Sequence, residues 1–262
     1  MGGPRGAPDD SGVRPRLLLV LGLGAATLAA LVGAATQASA GGVCVTGARD
    51  GYSYAGHQAT HRGHGVRATL TMYRQPSVHI GHVAGWIGVG GQDQGADGRD
   101  AWIQVGIAST PGNGVAVYAE IARAGTPPKL VLVQQGVEVG QPYELAVLEM
   151  AGRAGWWRVW VDGGPVTAPI RMRGSSGRWA PMATAESWNG GTTTCNSFGF
   201  RFEGVSVSYG AGGSWRTFVP GHRFLDDGTA LGEVTPSIVH SRPYARTAVD
   251  DALAYSFVAS SS

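Results

Sequence analysis

The chain has 262 residues, a formal charge of +2 and only 15% charged residues, with 43 glycines, 8 tryptophans and 2 cysteines. No cluster of Lys and Arg forms the electrostatic footprint that nucleic-acid binding needs. Glycine and tryptophan at this level, with so little charge, argue against a disordered chain and for an all-β domain rich in tight turns.

The first forty residues read as a targeting segment. Arg14 and Arg16 precede the apolar run Leu17 to Ala35, and Ala38, Ser39 and Ala40 form a small-residue cleavage motif. A positive region, an apolar region and such a motif describe a secretory signal peptide over residues 1–40. The run is also long enough to span a bilayer, so an uncleaved membrane anchor is the alternative. Either way the remainder is expected outside the cytoplasm. In that oxidising setting the two cysteines, Cys44 and Cys195, are expected to pair. The loop closed would hold about 150 residues, worth up to ~5 kcal/mol in the chain-entropy model.

From Gly65 onward, short β-rich runs alternate with Gly and Pro punctuation. In chain order they are VRATLTMY, HVAGWIGVG, AWIQVGIA, VAVYAEIA, KLVLVQQ, YELAVLEM, WWRVWVDG, PMATAESW and FGFRFEGVSVSY. Runs of this kind, joined by turns such as PGNG and VDGGP, predict a two-sheet antiparallel sandwich over residues 41–218. The pattern fades after Phe218. Residues 219–262 are expected to form a loosely structured tail with a short helix near TAVDDALAYSF, capped by Thr247. The histidines of GHQATHRGH (His57, His61, His64) lack a complete ligand set, so no metal is expected. No cofactor fingerprint is present.

The run AWIQVGIA carries an amide in an otherwise apolar strand. Alternation places Trp102, Gln104 and Gly106 on one face and Ile103, Val105 and Ile107 on the other. The aliphatic face suits a core; the face with Gln104 suits the floor of a groove.

Four stretches in succession resemble the eqolisins, the secreted glutamic peptidases: GWIGVGG (85–91), WIQVGIA (102–108), VYAEIA (117–122) and ATAESWNGG (183–191). The resemblance covers roughly residues 51–209 and implies a concanavalin-like, jelly-roll sandwich with a concave sheet. It implies that Gln104 is the amide that donates to the oxyanion of a tetrahedral intermediate, beside a glutamate acting as general base. Trp86 and Glu120 match the family's tryptophan and acidic residue on neighbouring strands. The departure lies in ATAESWNGG, where the family's catalytic glutamate position falls on Gly190. Glu186 matches an earlier, non-catalytic glutamate, and on a continuous strand it would share a face with Trp188 and Gly190. Four residues along a strand is about 13 Å, too far for Glu186 to replace the missing base without a register change.

The site residues expected from this reading are Gln104 and Glu186 as the catalytic pair, if there is one, and Trp86, Trp102, Glu120 and Trp188 as ligand contacts. Gln104 as a buried packing amide and Glu186 as a structural carboxylate are the alternatives. Trp160 and Trp179 are further aromatic candidates. The expected function is a secreted or surface-tethered monomer that binds an extended peptide or glycan without hydrolysing it. An acid glutamic endopeptidase using Gln104 and Glu186, and a structural envelope protein, are the competing readings.

Overall fold

The computed structural model describes residues 51–234 and 255–261. Residues 1–50, which hold the expected signal peptide and Cys44, lie outside the described residues. The strands are β1 (Tyr52–Ala59), β2 (Gly65–Ser77), β3 (His82–Gly91), β4 (Ala101–Thr110), β5 (Gly114–Ala122), β6 (Lys129–Gln135), β7 (Pro142–Glu149) and β8 (Trp156–Val161). They continue with the two-residue β9 (Gly164–Pro165) and β10 (Ile170–Arg171), then β11 (Pro181–Trp188), β12 (Ser197–Ser208), β13 (Trp215–Thr217), β14 (Pro220–Leu225), β15 (Thr229–Glu233) and β16 (Tyr255–Ser261). Among the described residues the only helical element is a 3-10 turn at Ala96–Gly98.

Two antiparallel sheets result. One has the order β14-β1-β11-β3-β4-β5-β6; the other runs β10-β8-β7-β2-β12-β16-β15, with β13 and β9 attached to β12 and β8. The protein is an all-β sandwich. All nine predicted runs are strands, and their alternation is the reason: in β8, Trp157, Val159 and Val161 are buried while Trp156, Arg158 and Trp160 are partly exposed. The core draws on both sheets, with Ile87, Ile103, Val105 and Ile107 from one and Leu70, Leu145, Val147, Phe200 and Phe202 from the other. Each such side chain, taken wholly out of water, stabilises the fold by roughly 1.5–3 kcal/mol before entropy is set against it.

The structure adds β1, which the polar residues of YSYAGHQA had hidden. It also corrects the tail. β14 pairs with β1, and β16 lies between β12 and β15, so residues 220–233 and 255–261 belong to the sheets. The helix expected near TAVDDALAYSF falls mostly outside the described residues; its last part, Tyr255 to Phe257, is strand. Phe257 is the physical reason, since it is 2% exposed and stacks on Phe202 with ring centroids 4.6 Å apart. Periodicity over so short a segment could not distinguish strand from helix.

Candidate functional site: the outer face of the seven-stranded sheet

Register brings the candidate residues to one face. Gln104 lies opposite Glu120 on β5 and opposite Gly88 on β3. Trp86 lies between Gly106 on β4 and Thr184 on β11, and Glu186 lies between Ala84 and Tyr54. On the far side of β4, Ile103, Val105 and Ile107 are fully buried in the main core. The near side has its own small apolar cluster of Ala84, Trp86 and Tyr118, with Tyr54, Ala108 and Met182 packed on it. Alternation therefore assigned the two faces of β4 correctly.

Gly106 makes room for this cluster. A Cβ there would lie 2.6 Å from that of Trp86 and 2.1 Å from the Gly85 carbonyl oxygen, inside any tolerable contact. The bare backbone lets Trp86 and Tyr118 close over β4 from either side.

Gln104 is buried. Its Nε2 donates to the Tyr118 hydroxyl and to Glu120 Oε2, each at 3.1 Å. Glu186 is also buried, and its Oε1 is 3.2 Å from His82 Nε2. The two groups thus have separate partners. In register, Gln104 shares its row with Gly88 and, beyond it, Met182 on β11. Glu186 sits four residues further along β11, about 13 Å along the strand and about 10 Å across two strands.

Electrostatics links the two halves. Burial pushes the Glu120 carboxyl up to about 7, and the negative charge of Glu186 adds to the rise. His82, the Trp102 indole N–H and the Gln104 amide work in the opposite direction. Trp102 Nε1 is buried and near Glu120 without completing a hydrogen bond to it. Burial, Glu186 and Glu120 also raise Tyr52, and they hold Tyr118 well above the ordinary phenol range. Trp86 Nε1 is a second buried donor with no hydrogen-bond partner. A donor so placed is unfavourable until something accepts from it.

Aromatic rings border the carboxylates. Tyr52 contacts Tyr54, His82 and Trp188 at ring-centroid distances of 6.0, 6.0 and 6.1 Å, and Tyr54 contacts Phe224 at 6.2 Å. At the other end of β4, Trp102 and Ala122 open onto a cavity of about 650 Å³ that Arg99 and Arg123 also line. A carboxyl that titrates near neutrality, a fixed amide donor, indole N–H groups and flat apolar surfaces can bind a polar chain and orient a carbonyl or hydroxyl in it.

Of the residues expected from the sequence, Trp86, Trp102, Gln104, Glu120, Glu186 and Trp188 all occupy this one sheet. Gln104 is hydrogen-bonded to Glu120; Glu186 is hydrogen-bonded to His82 instead. Trp179 is a core residue, stacked on Trp157 at 5.6 Å. Trp160 stands on the other sheet. Gly190 requires a correction. β11 ends at Trp188, and Gly190 has φ +68° in the following turn, so it does not share a strand face with Glu186. The sequence reading missed His82, Tyr52 and Tyr54. His82 heads β3 four residues before Trp86, on the same parity, and that spacing was the available signal. No group of three or more metal-ligating side chains occurs among the described residues.

No family model matches the chain, and neither does any curated protein. Among solved structures, scytalido-glutamic peptidase with a peptide-based transition-state analogue matches at 14% identity and TM-score 0.46, covering 80% of this chain and 97% of that one. SCP-B, a member of the eqolisin family in complex with the tripeptide Ala-Ile-His, matches at 14% identity and TM-score 0.45 with the same coverage. Sheep galectin-11 in complex with glycerol matches at 12% identity and TM-score 0.28, over 50% of this chain and 88% of that one. The structures that match thus include the family that the strand motifs resemble.

Proposed function

We propose that the outer face of the seven-stranded sheet binds an extended chain, peptide or glycan, outside the cytoplasm, and that Gln104 and Glu186 do not act as a hydrolytic pair. One observation carries the reading: Gln104 is bonded to Tyr118 and Glu120, while Glu186 is bonded to His82. A general base must come within hydrogen-bond reach of the water it activates, and the oxyanion donor must point at the same carbonyl. Partners four residues apart in register do not meet that condition. The buried Trp86 Nε1 and the rings of Tyr52, Tyr54 and Trp188 supply one donor and several stacking surfaces for a ligand.

A second reading rests on Glu120. It is the carboxylate beside Gln104, and its carboxyl sits at about 7, where one group can serve as acid or base near neutrality. Under that reading Glu120 replaces Glu186 as the working glutamate.

The test combines binding and cleavage. The chain is screened against peptide and glycan arrays, then incubated with a mixed peptide library between about pH 2 and pH 8, spanning glutamate titration. Saturable binding without cleavage, weakened by Trp102→Ala, supports the binding reading. Cleavage abolished by Gln104→Ala and Glu120→Gln, but not by Glu186→Gln, establishes the second. Cleavage abolished by Gln104→Ala and Glu186→Gln overturns the assignment of partners made above.

A further inference from the structure

We infer that the protein carries an anion site, separate from the groove, formed by Arg62, Arg173 and Arg178, and that its ligand is a multiply charged oxyanion such as a phosphate-bearing group. The three arginines line one cavity of about 330 Å³ together with Gln94, and the only carboxylate in its lining is Asp93. Among the described residues, none of the three guanidinium groups has an ion pair or a side-chain hydrogen bond. The three exposed arginines line one concavity, and a multiply charged oxyanion bound there would be a common partner for all three. The planar fork of each matches two oxygens at once.

The arginines come from two chain segments, Arg62 from the β1–β2 connection and Arg173 and Arg178 from the β10–β11 connection, and each lies beside a core anchor. Arg62 precedes Gly63, whose N–H donates to the Trp179 carbonyl at 3.0 Å. Arg178 precedes Trp179, which stacks on Trp157 and donates its Nε1 to the Gln94 carbonyl at 2.8 Å. Arg173 follows Met172, which is buried and donates its N–H to the Gly155 carbonyl at 2.8 Å. Gln94 Oε1 accepts from the Ala180 N–H. The backbone that carries the charges is therefore held by the packed interior, and only the side-chain ends have to be ordered when a ligand arrives. That lowers the entropic cost of binding.

Inorganic pyrophosphate is the probe, titrated calorimetrically into the full chain at low salt, with long-chain polyphosphate and citrate in parallel arms. Saturable pyrophosphate binding is expected, weakening as salt rises and falling by roughly tenfold or more in the triple variant Arg62→Gln, Arg173→Gln, Arg178→Gln. Arg201→Gln, an exposed arginine on β12, leaves it unchanged. The arms separate the sources: a much tighter polyphosphate complex assigns the site to a polymer, and comparable pyrophosphate and citrate affinities assign it to small anions. Thermal midpoints verify that the variants fold, and single Arg173→Gln serves if the triple variant does not. The proposal is overturned by the absence of saturable binding to any arm, or by binding that the arginine substitutions leave intact.

Discussion

Gln104 and Glu120 face each other across the β4–β5 ladder, with the amide nitrogen of one donating to a carboxylate oxygen of the other at 3.1 Å. The contact holds a carboxyl group in a half-buried position that disfavours its charge, and this has a measurable consequence for stability. Glu120 titrates near its ordinary value of 4.5 when unfolded and at about 7 when folded. Below the lower value both states hold the proton, and between the two values the folded state holds more. Stability therefore falls as pH rises through this window, and the loss is complete above about pH 7. Glu120→Gln should raise the unfolding free energy at pH 8 by on the order of 1–3 kcal/mol and change it little at pH 4. Urea denaturation at the two pH values measures it; an equal effect at both would show that burial does not perturb this carboxyl.

The two faces of β4 should respond differently to substitution. Ile103 is fully buried between the sheets, so Ile103→Ala should cost roughly 2–4 kcal/mol. Gln104→Leu leaves the Tyr118 hydroxyl and Glu120 without a partner and should cost about 1–2 kcal/mol, while weakening ligand binding. Denaturant melts together with array binding check both, and the reverse order of costs would mean the faces are misassigned.

Much of this site was legible in the chain. Trp102, Gln104 and Gly106 alternate with Ile103, Val105 and Ile107, and a strict period of two reports a strand with one buried face. What the chain does not display is cross-strand register. Gln104 acquires Glu120 as its partner because β4 and β5 are joined by the tight turn at Thr110–Gly114, whereas Glu186 arrives on a strand paired across a separation of about a hundred residues. Gly190 illustrates the same limit: a strand and the turn that ends it look alike in NGG until a positive φ is seen. β1 escaped notice because His57 and Gln58 interrupt its apolar character.

Gly190→Glu should create no peptidase activity. A side chain at that position belongs to a left-handed turn beyond the end of β11, and any residue but glycine is strained there. A peptide-library digest with this variant checks the point; activity at acid pH would show that the turn rearranges to extend the strand.

Glu149 and His64 are joined by a hydrogen bond away from the candidate site. The Glu149 side chain is wholly buried and accepts from the Gly155 N–H at 2.5 Å, and its other oxygen is 2.6 Å from His64 Nδ1. Removing the histidine leaves a buried carboxylate with one remaining donor. His64→Ala should therefore cost about 3 kcal/mol, more than Glu149→Gln, which keeps an acceptor and removes the charge. Chemical denaturation of both variants tests the ranking, and a smaller loss in His64→Ala would place the stabilisation elsewhere.

Cys44 and Cys195 are expected to pair under oxidising conditions. Gly51 sits beside the loop that leads to Cys195, accepting from the Asn189 N–H at 3.1 Å. The seven residues from there back to Cys44 span at most about 25 Å, which reaches Cys195 comfortably. Alkylation followed by intact-mass measurement should detect both thiols only after reduction; labelling without reductant would exclude the bond.

The placement of β16 between β12 and β15 bears on how the chain is made. Phe257 and Ala259 fill the interior from a strand nearly two hundred residues away from β2, and β2 and β12 are themselves separated by more than a hundred. During synthesis, a chain that has emerged only as far as β15 exposes Phe200 and Phe202 along an unpaired edge, the kind of surface on which nascent chains stick to one another. The nine-stranded sheet closes only when residues 255–261 are free to enter it. Assembly of that sheet therefore waits until residues 255–261 have been made, and until then the polypeptide stays open and dependent on whatever shields it.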